Sequence, residues 1–131
     1  YTVHACTDIT GFSFLGHLHE MLDNRLAAVI DTLRVPYIAE AYRHAEEFLI
    51  TAAAQRNRNY VQAYVEFKNT PFPMEEILFD PQTSGGLLFA VPGEESSKML
   101  EELRKAGLPA AVVGRLIHQN NANYTKEITV L

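Results

Sequence analysis

The stretch TDITGFSFLGH, residues 7–17, joins a predicted strand to a predicted helix and carries the first candidate site. Residues 1–6 favour a short strand. From Phe12 the apolar residues recur at helical spacing until about Asp23, which indicates a helix with one buried face. This alternation of strand and helix sets the expectation for the rest of the chain.

The two glycines of this stretch, Gly11 and Gly16, have the spacing of a phosphate loop. A Walker loop needs a lysine and a hydroxyl residue after the second glycine, to reach the phosphates and the magnesium ion. His17 and Leu18 occupy those positions. The sequence therefore excludes a Walker loop.

Asp8 is the candidate metal ligand of the stretch, because it is predicted to follow the first strand directly, at the edge of a sheet. Mg²⁺ typically takes one or two protein carboxylates and completes its shell with water and phosphate oxygens. Thr7 and Thr10 are expected to hold the second carboxylate oxygen or to cap the following helix. From the residues alone, Asp8 is either one ligand of a magnesium–nucleotide site or a helix cap or turn residue.

The second motif is LFDPQTSGGLL at residues 78–88. Its Asp-Pro pair opens a turn, and Thr83 and Ser84 offer two hydroxyls. Gly85 and Gly86 precede a predicted strand, a position where glycines allow close approach by a ligand or by another backbone. A tight turn without a ligand is the alternative.

Composition limits the classes of function. The 131 residues suffice for one domain, 1–131, and 47% hydrophobic with 21% charged residues is ordinary for a globular protein. The net charge of −5 without a basic run argues against nucleic acid, and no apolar stretch approaches the ~20 residues of a membrane span. A single cysteine, Cys6, fits a reducing compartment, so we expect the cytoplasm. The chain opens without methionine directly into a strand, which predicts a part of a longer protein.

Strands and helices interleave along the chain, which predicts an α/β or α+β class with helices packed on a sheet. The segment after Pro92 reads as a helix that ends at Lys105, with Gly107 and Pro109 as stop signals. The other predicted elements are a strand at 25–31, a helix at 38–49, a loop or helix end at 51–59, a half-buried strand at 61–67, a turn at 69–73, a buried strand at 87–91, and strands at 110–117 and 127–131.

The two motifs together resemble the C-terminal domain of the selenophosphate synthetase (selenide, water dikinase) family. ACTDITGFSFLGH at 5–17 matches the family pattern except for Ser13, where the family has glycine, and DPQTSGGLL at 80–88 matches without change. VIDTLRVPYI at 29–38 and RNRNYV at 56–61 follow in the family's order. The resemblance covers nearly the whole chain.

The resemblance implies an α/β (α+β) fold of the aminoimidazole ribonucleotide synthetase type, with helices on a mixed sheet and a partly ferredoxin-like topology. It also implies that the chain is the C-terminal half of a dimeric two-domain enzyme whose N-terminal ATP-binding and dimerising domain is absent here. The family makes selenophosphate from selenide, ATP and water and releases AMP and phosphate. Its nucleophilic Cys or Sec and its essential lysine lie in the absent part, so no catalytic residue is expected in this chain. Cys6 does not match the nucleophile and is interpreted as a small core residue.

For the site, the resemblance implies that Asp8 binds Mg²⁺ at the phosphates of ATP. Ser13, and Ala52–Ala54 where the family often has a glycine pair, depart from the pattern. Alternatives are another ATP-dependent enzyme of the superfamily, acting on a different substrate, or a non-catalytic α/β binding module. The candidate ligand-binding residues beside Asp8 are Thr7, Thr10, Gly11, Asp80, Gln82, Thr83, Ser84, Gly85 and Gly86.

Two smaller patterns have competing interpretations. His17 with Glu20, or His19 with Asp23, could face a common metal, although the sequence offers no third ligand.

The second pattern is a pair of arginines, Arg56 and Arg58, in a segment predicted as a loop or helix end. Guanidinium groups suit phosphates, but arginines in such a segment are also commonly solvated.

Overall fold

The computed structural model of the chain describes residues 1–119 and 125–131. Two short 3₁₀ turns accompany the regular elements, at Thr32–Arg34 and Gln62–Tyr64. The elements follow one another as β1 (Ala5–Asp8), α1 (Ser13–Leu22), β2 (Leu26–Ile30), α2 (Ala39–Glu46), α3 (Ala52–Val61), β3 (Val65–Phe67), α4 (Phe72–Phe79), β4 (Leu87–Ala90), α5 (Gly93–Lys105), β5 (Gly114–His118) and β6 (Ile128–Val130).

The strands form two separate sheets. A four-stranded mixed sheet has the order β3-β6-β2-β5, in which β6 runs parallel to both β2 and β3 and β5 runs antiparallel to β2. β1 and β4 pair only with each other, as an antiparallel pair called here the β1–β4 ribbon. The expected α/β class with a mixed sheet is confirmed.

The core lies where α1, α3 and α4 meet the four-stranded sheet. On α1, Leu15, Leu18 and Leu22 recur at helical spacing and are buried. Leu78 and Phe79 of α4 are completely buried in the same cluster. Each such side chain contributes about 1.5–3 kcal/mol through loss of apolar surface from water.

The centre of the sheet is covered on both faces. Residues 27–30 of β2 are buried at consecutive positions, and so are residues 128–130 of β6. A strand that reads as a continuous apolar run is typical of this double cover.

The sequence predicts several elements correctly. α5 begins at Gly93 after Pro92 and ends just before Gly107, whose φ of 81° lies in the left-handed region that favours glycine. The helix predicted from Phe12 is α1, and the strand predicted at 25–31 is β2.

Three predictions in the middle of the chain are wrong. The segment 51–59, predicted as a loop or helix end, lies almost entirely in the helix α3, and in the predicted strand 61–67 only Val65–Phe67 is extended. α4 begins in the predicted turn 69–73, with prolines at its first positions, where a missing N–H costs nothing.

Near the end of the chain, the predicted strand at 110–117 begins only at Gly114. Within residues 1–119 and 125–131 no helix is long and apolar enough to cross a membrane.

Candidate functional site

The two sequence motifs meet at one end of the β1–β4 ribbon. Asp8, the last residue of β1, lies opposite Leu87, the first residue of β4. Beyond this pair the Ile9 N–H donates to the Gly86 carbonyl at 2.9 Å. Backbone pairing between distant segments therefore brings the first motif against the second.

Close backbone approach explains one glycine of the second motif. The Gly85 N–H donates to the Ile9 carbonyl at 3.1 Å, and the Gln82 N–H donates to the Thr10 carbonyl at 3.0 Å. A Cβ on Gly85 would lie 2.3 Å from the Ile9 carbonyl oxygen, whereas a Cβ on Gly86 would meet nothing within 4 Å. Gly85 is thus required by another backbone, and the space beside Gly86 is open.

Asp8 does not cap the helix that follows. The N-cap of α1 is Phe12, which makes no side-chain cap hydrogen bond, and the Gly16 N–H of the first turn donates to the Ser13 hydroxyl at 3.5 Å. The Thr7 hydroxyl donates to the backbone carbonyl of Asp8 at 3.2 Å, and the Thr10 hydroxyl lies 3.0 Å from His17 Nε2. The sequence predicts that these threonines hold the Asp8 carboxylate or cap α1. Neither threonine does so, and this prediction is wrong. Within the described ranges the exposed carboxylate has no hydrogen-bond or ion-pair partner of its own.

The ribbon face that carries Asp8 is open. Cys6 lies two residues earlier on the same face and is exposed, so its interpretation as a core residue is wrong. Across the ribbon, Leu87 and Phe89 are 62% and 36% exposed, so the predicted buried strand at 87–91 is buried on one face only. No layer of the described residues covers this face.

His17 fastens the loop after Asp8. Its Nε2 accepts the Phe12 N–H at 3.4 Å and lies 3.0 Å from the Thr10 hydroxyl, while Nδ1 is 3.5 Å from Glu20. The tautomer with its proton on Nδ1 satisfies all three contacts. His17 is therefore a structural residue of the loop.

His19 pairs with a residue other than the one expected. Its Nδ1 lies 2.9 Å from the buried Glu127 carboxylate, whereas the sequence predicts a pair with Asp23. Its ring stacks on that of Tyr64, with ring centres 4.2 Å apart. Among the described residues no three His, Cys, Asp or Glu side chains are grouped to hold a metal ion. The histidine metal pairs are thus not supported.

Ser13, the departure from the family pattern, sits in a strained backbone conformation. Its φ is 69°, and its side chain is completely buried at the start of α1. L-residues with a Cβ disfavour this left-handed region, which glycine adopts freely. The backbone at position 13 therefore favours glycine, the residue of the family pattern, over the serine of this chain.

Asn57 was not predicted as a site residue, yet it connects the two motifs. It is only 6% exposed, and its Nδ2 donates at 3.0 Å both to the Gly11 carbonyl and to the Phe79 carbonyl. Phe79 directly precedes the DPQTSGG segment. Asn57 shares a buried helix face with Ala54 and Val61, but the sequence carries no signal for it, because segment 51–59 is predicted as a loop or helix end.

The side chains of the DPQTSGG segment differ in whether they form hydrogen bonds with other described residues. Thr51 accepts the Ala54 N–H as the cap of α3 and donates its hydroxyl to Asp80 at 2.9 Å. Ala52–Ala54, the second departure from the family pattern, form the first turn of that helix. Thr83 and Ser84 are exposed, and their hydroxyls have no partner in the described part of the chain.

Arg58 is a structural residue. Its guanidinium contacts Glu75 at 3.0 Å and the buried Glu76 at 2.6 Å, and it lies 4.4 Å from the Phe79 ring centre. Arg56, two residues earlier, is exposed and has no partner among residues 1–119 and 125–131.

At the opposite end of the ribbon, a hydrogen bond ties the lead-in of β1 to α5. The Thr2 N–H donates to Glu95 at 2.7 Å, which holds the pKa of that carboxyl below its usual range.

Comparison with known proteins places the chain in a family. The family model described as "AIR synthase related protein, C-terminal domain" matches residues 1–126. A protein named selenide, water dikinase from Agathobacter rectalis is 60% identical over 122 residues, which cover 92% of this chain and 36% of that protein. A protein of the same name from Desulfitobacterium hafniense strain Y51 is 47% identical over 117 residues, 89% of this chain and 34% of that protein.

A third relative, named selenide, water dikinase in Pelobacter propionicus, is 43% identical over 122 residues, 91% of this chain and 35% of that protein. The chain spans about a third of the length of these relatives. Their names agree with the resemblance found in the two motifs, which is thereby confirmed. The chain belongs to the AIR synthase related protein C-terminal domain family and is similar to proteins named selenide, water dikinase.

Proposed function

We propose that this chain is the C-terminal domain of a selenide, water dikinase and that Asp8 supplies one carboxylate ligand to Mg²⁺ at the phosphates of ATP. The observation that carries the proposal is the position of Asp8. Its carboxylate is exposed at the junction of the two motifs and is used neither as a helix cap nor, within the described residues, in an ion pair. An oxygen donor in that state suits Mg²⁺.

The proposed reaction converts selenide, ATP and water into selenophosphate, AMP and orthophosphate. When bound, Mg²⁺ would neutralise charge on the phosphate oxygens during phosphoryl transfer. The described residues of this chain hold no group of three metal-ligating side chains, so Asp8 is proposed as part of a shared site. The remaining ligands, the nucleophilic Cys or Sec and the lysine are proposed to come from an N-terminal domain in a homodimeric protein.

The other residues at the junction are proposed to shape the phosphate site. Thr83 and Ser84 have hydroxyls free to donate to phosphate oxygens, and Gly86 leaves room for a ligand to approach the backbone. Gly11 borders the same loop, and a Cβ there would meet nothing within 4 Å. Asp80, by contrast, is held by Thr51, so we propose that it positions the segment.

We also propose a cytoplasmic location. The support is the free thiol of Cys6, which is exposed and would be kept reduced in that compartment.

The proposal is tested in the full-length parent protein by Asp8→Asn. This change removes the charge at nearly constant shape, and we expect selenide-dependent AMP release to fall roughly 100-fold or more, because a ligand to the phosphate-bridging metal is lost. Circular dichroism and the thermal midpoint should stay unchanged, since the carboxylate is exposed.

Asp23→Asn is the matched control. Asp23 is an exposed carboxylate at the other end of α1, and its left-handed φ of 53° is tolerated by asparagine. AMP release should stay at the wild-type level in this variant. Near-wild-type turnover of Asp8→Asn would contradict the metal role of Asp8.

A further inference from the structure

We infer that Arg56, Phe12 and Tyr60 form a second binding site, for a ligand that carries both a phosphate group and a planar ring, as a nucleoside monophosphate does. This site goes beyond the proposed function, because it needs neither a metal ion nor the Asp8 carboxylate.

The site is a cavity between α3 and the loop after Asp8. Arg56 and Tyr60 are four residues apart on α3 and so share one face of the helix. Phe12 lies across from Tyr60, with ring centres 6.1 Å apart and planes tilted by 38°. The cavity measures about 450 Å³, within the range of small-molecule sites. Its lining residues are Gly11, Phe12, Ala53, Arg56, Asn57 and Tyr60.

The charge of the cavity comes from Arg56. The acidic residues that face α3 from α4, Glu75 and Glu76, are both taken by Arg58. Arg56 has no partner among the described residues, in a chain whose net charge is −5. An unpaired guanidinium presents parallel N–H donors that match the oxygens of a phosphate group.

The aromatic part of the cavity recognises a ring. Phe12 and Tyr60 are 53% and 49% exposed, which is a large apolar area to leave in water. Bases stack on such side chains without a requirement for sequence or hydrogen bonding, since every base has a π-face. Together the three side chains suit a planar anion better than a simple anion.

A second cavity of about 500 Å³ on α5 also contains cationic residues, but they are satisfied. Lys105 pairs with Glu101 on the same helix, and the Arg104 Nε–H donates to the Ala110 carbonyl at 3.0 Å. The site at Arg56 therefore differs from it in having an unpartnered guanidinium beside exposed rings.

The test is titration of the 131-residue chain with AMP in the absence of magnesium, followed by ¹H–¹⁵N correlation spectra. We expect saturable shifts of the backbone amides of Phe12, Arg56 and Tyr60. Arg56→Ala should weaken AMP binding by about tenfold or more, because it removes charged hydrogen bonds. Tyr60→Ala should also weaken it, through loss of stacking. Arg43→Ala, which removes an exposed arginine from α2, should bind AMP as the wild type does.

Four results would overturn the inference. AMP could fail to bind the wild-type chain or bind Arg56→Ala equally well. Adenosine could bind as tightly as AMP, which would remove the role of the phosphate. Inorganic phosphate could bind as tightly as AMP, which would remove the role of the rings. Asp8→Asn should leave AMP binding unchanged, so the result is independent of whether Asp8 proves essential for turnover.

Discussion

In the four-stranded sheet, Ile128 and Val130 of the central strand β6 are completely buried, whereas in the β1–β4 ribbon Leu87 and Phe89 stay 62% and 36% exposed. Residues 27–30 and 128–130 of the two central strands of the sheet are buried at consecutive positions, whereas Cys6 and Asp8 on the ribbon face are exposed. The buried residues that stabilise the fold therefore lie in the four-stranded sheet, and the candidate metal ligand lies in the β1–β4 ribbon.

The two sheets also differ in what holds them. Burial of apolar side chains stabilises the sheet. The end of the ribbon is held by directional bonds instead, from backbone pairs such as Ile9 with Gly86 and from the Asn57 amide. Directional bonds fix the geometry of this end of the ribbon while leaving the candidate site residues accessible, as the proposed function requires.

The largest effect should come from breaking the sheet. Ile128→Ala removes a completely buried side chain and should lower the free energy of unfolding by about 2–5 kcal/mol, through lost burial and a cavity. Leu87→Ala in the ribbon removes a side chain of similar size but should change it by less than about 0.5–1 kcal/mol. Urea unfolding of both variants of the 131-residue chain measures the difference. Equal losses would contradict the division of stability between the two sheets.

An intermediate effect should come from the bond that joins the two motifs. Asn57→Ala leaves the Gly11 and Phe79 carbonyls without their donor, which should cost about 1–3 kcal/mol in unfolding free energy. The variant should also shift the backbone amide signals of the loop after Asp8 in ¹H–¹⁵N spectra.

Asn59→Ala is its control, because Asn59 is exposed on the same helix. If both asparagine variants unfolded at the same urea concentration, the bridging role of Asn57 would be refuted.

The smallest effect should come from relieving strain in the first motif. Ser13→Gly replaces a residue at φ 69° with one that adopts this conformation freely. The relief of roughly 1–2 kcal/mol is partly offset by the roughly 0.5–1 kcal/mol that glycine loses in chain entropy. A net stabilisation of up to about 1 kcal/mol should raise the thermal midpoint.

Asn69→Gly at φ 59° is the comparison, because asparagine tolerates the left-handed region and this residue is exposed. Its thermal midpoint should change little. A destabilised Ser13→Gly variant would show that the serine side chain matters more than the backbone strain.

Local signals in the sequence predicted the elements that are decided locally. α5 lies between a proline and a glycine that act within one turn of its ends, and both of its boundaries were predicted from them. The two motifs likewise identified the candidate site, since their residues are contiguous along the chain.

The predictions for the middle of the chain are wrong because the apolar residues there fit both the helical and the strand periodicity. α3 buries Ala54, Asn57 and Val61 at helical spacing, but its polar residues hide the pattern, and Val61 also begins an apparent alternation towards Phe67. Over so few residues the periods 3.6 and 2 are hard to separate.

The partners of long-range contacts could not be predicted. The bridging role of Asn57 depends on two carbonyls far from it in sequence, and the open face at Asp8 depends on which residues do not pack there. The capping interpretation of Asp8 was wrong for a related reason. β1 extends to Asp8 itself, so α1 begins too far along the chain for that side chain to reach its first turn.

The neighbouring glycines of the second motif have different consequences for how the chain can evolve. The fold itself requires glycine at position 85, since any side chain would collide with the Ile9 carbonyl oxygen. Gly86 meets no such obstacle, so this chain alone would accept a larger residue there. A substitution at Gly85 is thus opposed by folding, whereas at Gly86 the packing of the described residues sets no such limit and the proposed phosphate site would supply the constraint. Under the proposed function, two adjacent codons would therefore be constrained for different reasons, Gly85 by the fold and Gly86 by the ligand.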